Sequence, residues 1–205
     1  IQKHPSRSTR IVVPLARRSG LIEWCEGTIP LGDWLANEIT GAHQRYHPTD
    51  LPPNQAKLKL AGARDKPPER RMAIFSEVCS KIQPVLGYFF VENFPEASAW
   101  YAGRKRYTAS LAASSILGYL VGLGDRHPQN LLLQPSTGEL VHIDLGIAFD
   151  QGRLLPTPEM VPFRLTRDLV HALGPLGVET GFVGAAESAL RAFSSGSEII
   201  LTLLE

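Results

Sequence analysis

Three side chains in the second half of the sequence carry oxygen donors at positions that a hairpin can bring together. Asp125 and Asn130 are separated by four residues, and Asp144 stands before Leu145 and Gly146. Asn130 comes just before one short apolar run and Asp144 just after the next, so the two residues lie at the two ends of one predicted hairpin and can converge on one ion. Mg²⁺ prefers such oxygen ligands, together with phosphate oxygens. Asp125 could then orient or deprotonate an attacking hydroxyl.

The order of these residues is that of a phosphoryl-transfer site. In the catalytic machinery of protein kinases, an Asp and an Asn at this spacing act as base and magnesium ligand, and the Asp of a later Asp-x-Gly is the second ligand. Neither pattern is specific alone, because an Asp before a Gly is usually a turn. The combination is far more specific, since a long predicted helix, Asp125, His127 and Asn130, a hairpin and Asp144 follow in that order.

The elements on either side must position these side chains. Apolar residues at three- and four-residue spacing predict a helix over 69–92, which Pro84 should kink or divide, and a second long helix over 96–123. The pattern then changes to two short apolar runs at 131–133 and 140–143 with a turn between them, which predicts a β-hairpin. The candidate site therefore lies between a long helix and a hairpin.

The remaining elements are also mostly helical. Two short apolar runs at 11–15 and 21–25 predict another hairpin, with a turn at 17–20. The stretch 41–68 is rich in Pro, Lys and Asn, and we interpret it as a long surface excursion with a short helix near 55–60. Further helices are predicted over 30–39, 164–173, 179–193 and 198–205. The predicted fold class is α+β and mainly helical.

The composition excludes several classes of protein. Of the 205 residues, 43% are hydrophobic and 20% charged, with a net charge of +1, which excludes wholesale disorder and argues against a surface built to coat nucleic acid. Cys25 and Cys79 are the two cysteines, so a disulfide scaffold is also excluded. No apolar run reaches the roughly 18 residues of a membrane span. We therefore predict neither a membrane partner nor direct contact with nucleic acid.

The motifs of the candidate site resemble those of a known enzyme family. Residues 122–127, Gly-Leu-Gly-Asp-Arg-His, together with Asn130 and the sequence His-Ile-Asp-Leu-Gly at 142–146, resemble the phosphatidylinositol 3-kinase-related protein kinases. The catalytic motif of that family reads Asp-Arg-His, whereas ordinary protein kinases have His-Arg-Asp. Pro-Phe-Arg-Leu-Thr at 162–166 is similar to the family's signature at the end of the activation loop. The resemblance runs from about Ile11 to the last residue.

Finer features resemble one branch of that family. They are the sequence Arg-Ser-Gly-Leu-Ile-Glu-Trp-Cys at 18–25, Leu145 between Asp144 and Gly146, and Leu-Pro-Thr-Pro-Glu at 155–159. These features are similar to those of the ataxia-telangiectasia-mutated (ATM) kinases and their fungal telomere-maintenance orthologues. The implied fold is the C-terminal lobe of a kinase domain, with a hinge and a small β-hairpin.

The resemblance implies a role for each residue that matches the catalytic motifs. Asp125 would be the catalytic aspartate facing the substrate hydroxyl, and His127 would lie near the γ-phosphate and stabilise charge in the transition state. Taken alone, His127 could instead be a structural hydrogen-bonding residue. Asn130 and Asp144 would hold Mg²⁺ beside ATP. Residues 144–166 would form the activation segment that receives a peptide.

The resemblance also implies an adenine pocket at the hinge. Backbone groups of Glu23 and Cys25 would hydrogen-bond the base, and Trp24 would pack its ring against it. Leu132 and Ile143 would close the pocket from the other side. Without the downstream motif, Trp24 beside Cys25 could simply belong to the hydrophobic core.

The implied organisation is that of part of a kinase. Residues 1–22 would be the last strands of the N-terminal lobe, 23–27 the hinge, and 28–205 the C-terminal lobe, with its catalytic loop at 124–130 and its activation segment as above. The region before the first predicted strand contains no glycine and a single lysine. The glycine-rich loop and the paired lysine that kinases use are therefore expected elsewhere in a much larger protein, and the isolated chain is predicted to be inactive.

The implied function is that of a serine/threonine protein kinase. It would transfer the γ-phosphate of ATP to Ser or Thr followed by Gln, in DNA-damage and telomere-maintenance signalling in the nucleus. Expected partners are protein substrates, the missing N-terminal lobe and the helical repeats of the larger protein, which is also expected to form a homodimer.

Two alternatives remain at this point. A lipid kinase of the wider family would use basic residues in the activation segment to bind an anionic headgroup, but between Asp144 and Phe163 the single basic residue is Arg153, against Asp150 and Glu159. The second alternative is an inactive fragment or pseudokinase scaffold, which the missing lobe would favour and the intact catalytic residues do not.

Overall fold

A computed structural model describes residues 11–16, 19–149, 151–155 and 160–204 of the chain. The predicted lead-in at 1–10, half of the predicted turn at 17–20 and most of the motif at 155–159 lie outside these described residues. Helices dominate the described chain, and they surround two small antiparallel sheets. The predicted α+β, mainly helical class is confirmed.

The first sheet is the hairpin predicted near the start of the chain. Strand β1 (Val12–Ala16) runs antiparallel to β2 (Ser19–Ile22), with Val12 opposite Ile22. Alternating side chains normally give such a hairpin one buried face. Here every residue of both strands is exposed, so neither face of the hairpin is covered by the rest of the described chain.

The second sheet carries the candidate site. It has three strands in the order β3 (Ile29–Pro30), β4 (Leu131–Leu133) and β5 (Leu140–His142), all antiparallel. The three leucines of β4 are buried because the strand lies in the middle of the sheet and against the helices. The predicted hairpin at 131–143 is confirmed, and β3 joins it to the segment that follows the first hairpin.

The first four helices include three that the sequence predicted and one that it missed. They are α1 (Leu31–Ala36), α2 (Ala42–Tyr46), α3 (Pro53–Ala61) and α4 (Pro68–Ser80). The predicted excursion at 41–68 therefore contains α2, which was missed, and α3, which corresponds to the short helix predicted near 55–60. Pro53 and Pro68 occupy first-turn positions of α3 and α4, where the missing N–H costs nothing and the fixed φ favours a helix.

The remaining helices follow the prediction more closely. The predicted helix at 69–92 is divided near Pro84, as expected, into α4 and α5 (Gly87–Asn93), and the long helix is α6 (Ala97–Leu120). Beyond the site, the chain forms α7 (Arg167–Leu173), α8 (Val183–Ser195) and α9 (Ser197–Leu204). A π-helical turn at Gly177–Phe182 replaces the expected start of the helix at 179.

The core lies between α5, α6, α7 and the second sheet. Phe90 is its centre, with its ring 5.3 Å from the rings of Phe89 and Tyr107 in edge-on contacts. Each of these three aromatic side chains is fully buried. Leu133 of β4 and Leu169 of α7 belong to the same cluster. This core supports the catalytic hairpin from one side.

One stretch, Arg167–Ser195, is long and apolar enough to cross a membrane, by length and composition alone. The chain there is not one straight helix, because Gly174 and Gly177 have φ values of +58° and +60°, which interrupt helical geometry. Leu173 and Phe182 of this stretch are buried in the core cluster. The stretch therefore contributes to the packing of the domain.

Candidate active site

Two of the predicted catalytic residues hold an uncommon backbone conformation. Asp125 has a φ of +57° and Asp144 a φ of +54°, and Phe149 is the third non-glycine residue with positive φ in the described part of the chain. Left-handed backbone at a residue with a side chain costs about 1–3 kcal/mol and persists where the surroundings impose it. Both candidate carboxylates thus lie at strained positions that the sequence does not reveal.

Backbone hydrogen bonds hold the two motifs side by side. The N–H of Ile143 donates to the carbonyl of Asn130 at 3.0 Å. The N–H of Gly124 donates to the carbonyl of Ile147 at 2.8 Å, and that of Phe149 to Val121 at 2.7 Å. The predicted catalytic loop, 124–130, is therefore hydrogen-bonded at both of its ends to the segment that contains Asp144.

Asn130 is placed to act as a ligand by its own hydrogen bond. Its side chain is buried, and its amide Nδ2 donates to the main-chain carbonyl of Asp125 at 2.9 Å. This bond fixes the rotation of the amide and leaves Oδ1 as the atom for a cation. Asp144, one residue beyond the backbone bond to Asn130, adds an exposed carboxylate. An amide oxygen and a carboxylate fit Mg²⁺, which takes one or two protein ligands and completes its shell with phosphate and water.

His127 has a structural contact and an available nitrogen. Its Nδ1 accepts a hydrogen bond from the N–H of Gln129 at 3.2 Å, which caps the 3₁₀ turn Pro128–Asn130. In the neutral ring the proton is then on Nε2, which lies 4.0 Å from a carboxylate oxygen of Asp125. The structure thus gives His127 a capping task and also brings Nε2 near the candidate base.

His142 on β5 differs from His127 in being largely buried. Burial and, secondarily, the positive charge of Arg126 lower the pKa of His142 to about 4. Its imidazole is therefore neutral at neutral pH. This favours a structural task for His142, behind the residues that face the site.

The hinge segment is stabilised by short-range hydrogen bonds. The N–H of Glu23 donates to the carbonyl of Ile11 at 2.9 Å, and the hydroxyl of Thr28 donates to the carbonyl of Cys25 at 2.8 Å. Trp24 between them is 83% exposed. The alternative interpretation of Trp24 as a core residue is therefore wrong for this chain.

The two apolar residues predicted to close the adenine pocket lie on or next to the second sheet. Leu132 pairs with Pro30, which follows the hinge by a few residues, and it is buried. Ile143 follows β5, hydrogen-bonds to Asn130 through its N–H, and is half-buried. The sheet thus joins the hinge end of the chain to the catalytic loop.

The sequence profile of the family described as Phosphatidylinositol 3- and 4-kinase matches residues 2–205. The chain belongs to this family. The "Serine-protein kinase ATM" of Sus scrofa is 50% identical over 194 residues, which make up 95% of this chain and 6% of that protein. The "Serine/threonine-protein kinase tel1" of Emericella nidulans is 46% identical over 194 residues, again 95% of this chain and 7% of that protein.

Solved structures agree with this membership of the phosphatidylinositol 3- and 4-kinase family. The "FAT and kinase domain of CtTel1" superposes with a TM-score of 0.86 at 46% identity and covers 94% of this chain and 13% of that chain. The predicted family resemblance is confirmed, including its ATM-like branch. The chain spans 6–7% of the length of the two curated relatives above.

The predicted activation segment is 144–166, of which 150 and 156–159 are outside the described residues. Its described part contains a 3₁₀ turn, Gln151–Leu154, and ends where the hydroxyl of Thr166 caps α7. A cleft of about 550 Å³ lies between this segment and the end of α6. It is lined by Tyr119, Gly122, Leu123, Gly152, Arg153, Met160, Val161 and Pro162.

The described residues hold no group of three or more His, Cys, Asp or Glu side chains that could bind a metal ion. A zinc-type site is therefore absent from that part of the chain. The pair of Asn130 and Asp144 is a different kind of site, because Mg²⁺ in phosphate chemistry needs few protein ligands. Arg126, between Asp125 and His127, was missed as a candidate functional residue because its hydrogen bonds to three backbone carbonyls leave no pattern in the sequence.

Proposed function

We propose that the chain is the catalytic part of a serine/threonine protein kinase that uses ATP and Mg²⁺. The observation that carries the proposal is the hydrogen-bonded arrangement of Asp125, Asn130 and Asp144. The backbone bond from Ile143 to Asn130 and the side-chain bond from Asn130 to Asp125 join all three. The names of the curated relatives, which are serine or serine/threonine protein kinases, support the same activity.

In the proposed mechanism, Asn130 and Asp144 hold the metal ion through their oxygens. Mg²⁺ bound there would neutralise charge on the phosphates. Asp125 orients the hydroxyl of the substrate and accepts its proton as the hydroxyl oxygen forms its bond to the γ-phosphorus. The bond from that phosphorus to the β,γ-bridging oxygen breaks, and ADP leaves. His127 donates from Nε2 toward the charge that develops on the transferred group.

The hinge and the second sheet are proposed to bind the adenine. The carbonyl of Glu23 and the N–H of Cys25 are the main-chain groups that we assign to the edge of the base. The exposed ring of Trp24 would stack on its face. Leu132 and Ile143 would form the apolar floor on the opposite side.

We propose a polypeptide substrate with Gln after the Ser or Thr, bound along the activation segment and its neighbouring cleft. A lipid headgroup carries several phosphates and needs basic partners. Arg153 is the single basic residue between Asp144 and Phe163, which disfavours the lipid kinase. The pseudokinase alternative is disfavoured because all three catalytic residues are present in one hydrogen-bonded arrangement.

The cellular role is proposed by analogy with the relatives. One similar structure is the "Complete CtTel1 dimer with C2 symmetry", which superposes with a TM-score of 0.85 at 46% identity. We propose that the larger protein containing this chain likewise dimerises, and that it acts in the nucleus in DNA-damage and telomere-maintenance signalling. The present chain would contribute catalysis there, and other regions would contact DNA-bound partners.

The test uses the full-length protein with Asp125→Ala and Asp144→Ala, and Asp65→Ala as a control at an exposed aspartate outside the site. We expect each active-site variant to reduce phosphorylation of a Ser-Gln peptide at least a thousandfold, while circular dichroism shows the protein to be folded. The control should retain wild-type turnover. Near-normal turnover of Asp144→Ala would contradict the metal-binding role, and an inactive wild-type protein would contradict the kinase itself.

A further inference from the structure

Arg126 is buried between the two candidate catalytic residues that flank it in the motif. It is 6% exposed although it carries a charge. Its Nε donates to the carbonyl of Gly124 at 2.8 Å, its Nη1 to the carbonyl of Ile143 at 2.7 Å, and its Nη2 to the carbonyl of Asp144. A buried guanidinium is costly unless its donors are satisfied, and here backbone carbonyls of two different segments accept from it.

The three carbonyls define the backbone of both strained residues. Because the peptide bond is planar, the carbonyl of Gly124 reports the rotation about the N–Cα bond of Asp125. In the same way, the orientation of the Ile143 carbonyl depends on φ of Asp144, and the orientation of the Asp144 carbonyl depends on ψ of Asp144. These are the residues whose φ values are +57° and +54°. One guanidinium therefore holds the peptide planes on both sides of Asp144 and on the N-terminal side of Asp125.

We infer that Arg126 is a positioning residue that imposes the left-handed backbone of Asp125 and Asp144, and so aims both carboxylates at the reaction centre. The effect on catalysis rests on the proposed kinase function. The effect on the backbone rests on the hydrogen bonds of Arg126 alone. Backbone bonds at Gly124 and Phe149 join the same two segments at their ends. Arg126 is the side chain that joins them in the middle, where the two carboxylates lie.

Substitution by lysine separates the effect of the positive charge from the effect of the three hydrogen bonds to the backbone. Arg126→Lys keeps the cation, but a single ammonium cannot reproduce the planar fork that reaches three carbonyls in different directions. The matched control is Arg104→Lys. Arg104 is also 6% exposed, and it also donates to backbone carbonyls, of Ala172 at 2.9 Å and Gly87 at 3.1 Å, but it joins α5, α6 and α7 away from the site.

The first measurement is steady-state phosphorylation of a Ser-Gln peptide by the full-length protein at graded Mg²⁺ and peptide concentrations. For Arg126→Lys we expect kcat to fall at least tenfold and the Mg²⁺ concentration for half-maximal rate to rise at least threefold, with the peptide KM within twofold of wild type. For Arg104→Lys all three quantities should stay within twofold. An unchanged Mg²⁺ dependence in Arg126→Lys, or the same change in Arg104→Lys, overturns the inference.

The second measurement needs neither activity nor metal. Hydrogen exchange followed by mass spectrometry without nucleotide should show the amides of Gly124, Ile143 and Phe149 exchanging at least tenfold faster in Arg126→Lys and unchanged in Arg104→Lys. If the wild-type protein lacks kinase activity, the proposed function fails, and exchange alone decides the role of Arg126. Unchanged exchange in Arg126→Lys overturns the positioning role. Failure of Arg126→Lys to fold also overturns it, because Arg126 would then contribute to the stability of the whole fold.

Discussion

At the scale of single residues, the site combines ordinary side chains with an unusual backbone. Asp125 and Asp144 have left-handed φ values, a conformation that glycine would adopt at no steric cost. The proposed chemistry needs a carboxylate at both positions, which glycine cannot provide. The strain is stable because hydrogen bonds from Arg126 and Asn130 hold the carbonyls around both residues.

His127 is the residue whose capping and catalytic tasks can be separated by substitution. We expect His127→Ala in the full-length protein to lower kcat about a hundredfold, the usual effect of removing one donor to transition-state charge, with little change in the KM for ATP. His127→Asn keeps an oxygen that can accept from the N–H of Gln129, so it preserves the cap and removes the Nε2 donor.

Steady-state kinetics of the two variants decide between the tasks. A catalytic His127 predicts that both variants are slow. Recovery of wild-type kcat in His127→Asn would show instead that His127 only caps the turn at Pro128–Asn130.

At the scale of elements, one helix provides the cap of another. Asp168, in the first turn of α7, accepts hydrogen bonds from the N–H groups of Val85 at 2.7 Å and Leu86 at 3.2 Å, just before α5. A carboxylate at a helix N-terminus satisfies orphan donors and interacts favourably with the helix dipole. His43 of α2 lies 3.7 Å from the other carboxylate oxygen. Three helices thus meet at one carboxylate behind the catalytic sheet.

This cap predicts a pH-dependent contribution to stability. Burial raises the pKa of Asp168, but the nearby His43 side chain and the hydrogen bond from the N–H of Val85 lower it, and the net pKa is below the ordinary value. A depressed folded-state pKa means that the stabilisation is present above about pH 4 and is lost as the pH falls through the folded-state pKa. Asp168→Asn should therefore destabilise the fold by about 1–3 kcal/mol at pH 7.

The contribution of Asp168 to stability is measured by thermal unfolding of the wild type and Asp168→Asn, monitored by fluorescence. We expect a lower apparent melting temperature at pH 7, and a difference that shrinks as the pH falls below about 4 and through the depressed pKa of the folded-state carboxylate. Asp65→Asn, at an exposed position, should have no effect. A difference that is constant across this pH range would show that the charge of Asp168 does not contribute.

At the scale of the whole molecule, the chain exposes apolar side chains on its first hairpin and just after it. Ile22 is 66% exposed, Leu21 and Val12 62%, and Trp24 83%. These residues belong to the first hairpin and the hinge. A cluster of exposed apolar side chains at one end of a chain is typical of a site of interaction, and the proposed occupant is the N-terminal lobe of the kinase.

The isolated 205-residue chain should therefore self-associate. Sedimentation velocity of the chain is expected to show species larger than the monomer, and Ile22→Ser with Trp24→Ser should shift the distribution toward the monomer because both remove exposed apolar area. Met72→Ser, at a residue 64% exposed on α4 outside the hairpin, is the control and should leave the distribution unchanged. A monomeric wild-type chain would contradict the prediction that these exposed apolar residues form an interaction surface.

Much of the site could be predicted from the sequence because its signals are local. The spacing of Asp125 and Asn130, the Asp-Leu-Gly at 144–146 and the apolar runs of β4 and β5 each involve a few neighbouring residues. The division of the helix near Pro84 is also local, since proline removes a donor and clashes with the preceding turn. By contrast, α2 within 41–68 was missed, because it is only five residues long and the Pro- and Asn-rich composition around it is typical of a loop.

The sequence by itself determined which side chains are available for chemistry and in what order they occur, because residue type and spacing along the chain are properties of the sequence alone. The tertiary structure decided that Trp24 is exposed, that Asp125 and Asp144 have left-handed backbones, and that Arg126 connects them. Exposure depends on what the rest of the chain covers. Backbone strain depends on contacts between residues almost 20 positions apart, and no local pattern records such contacts.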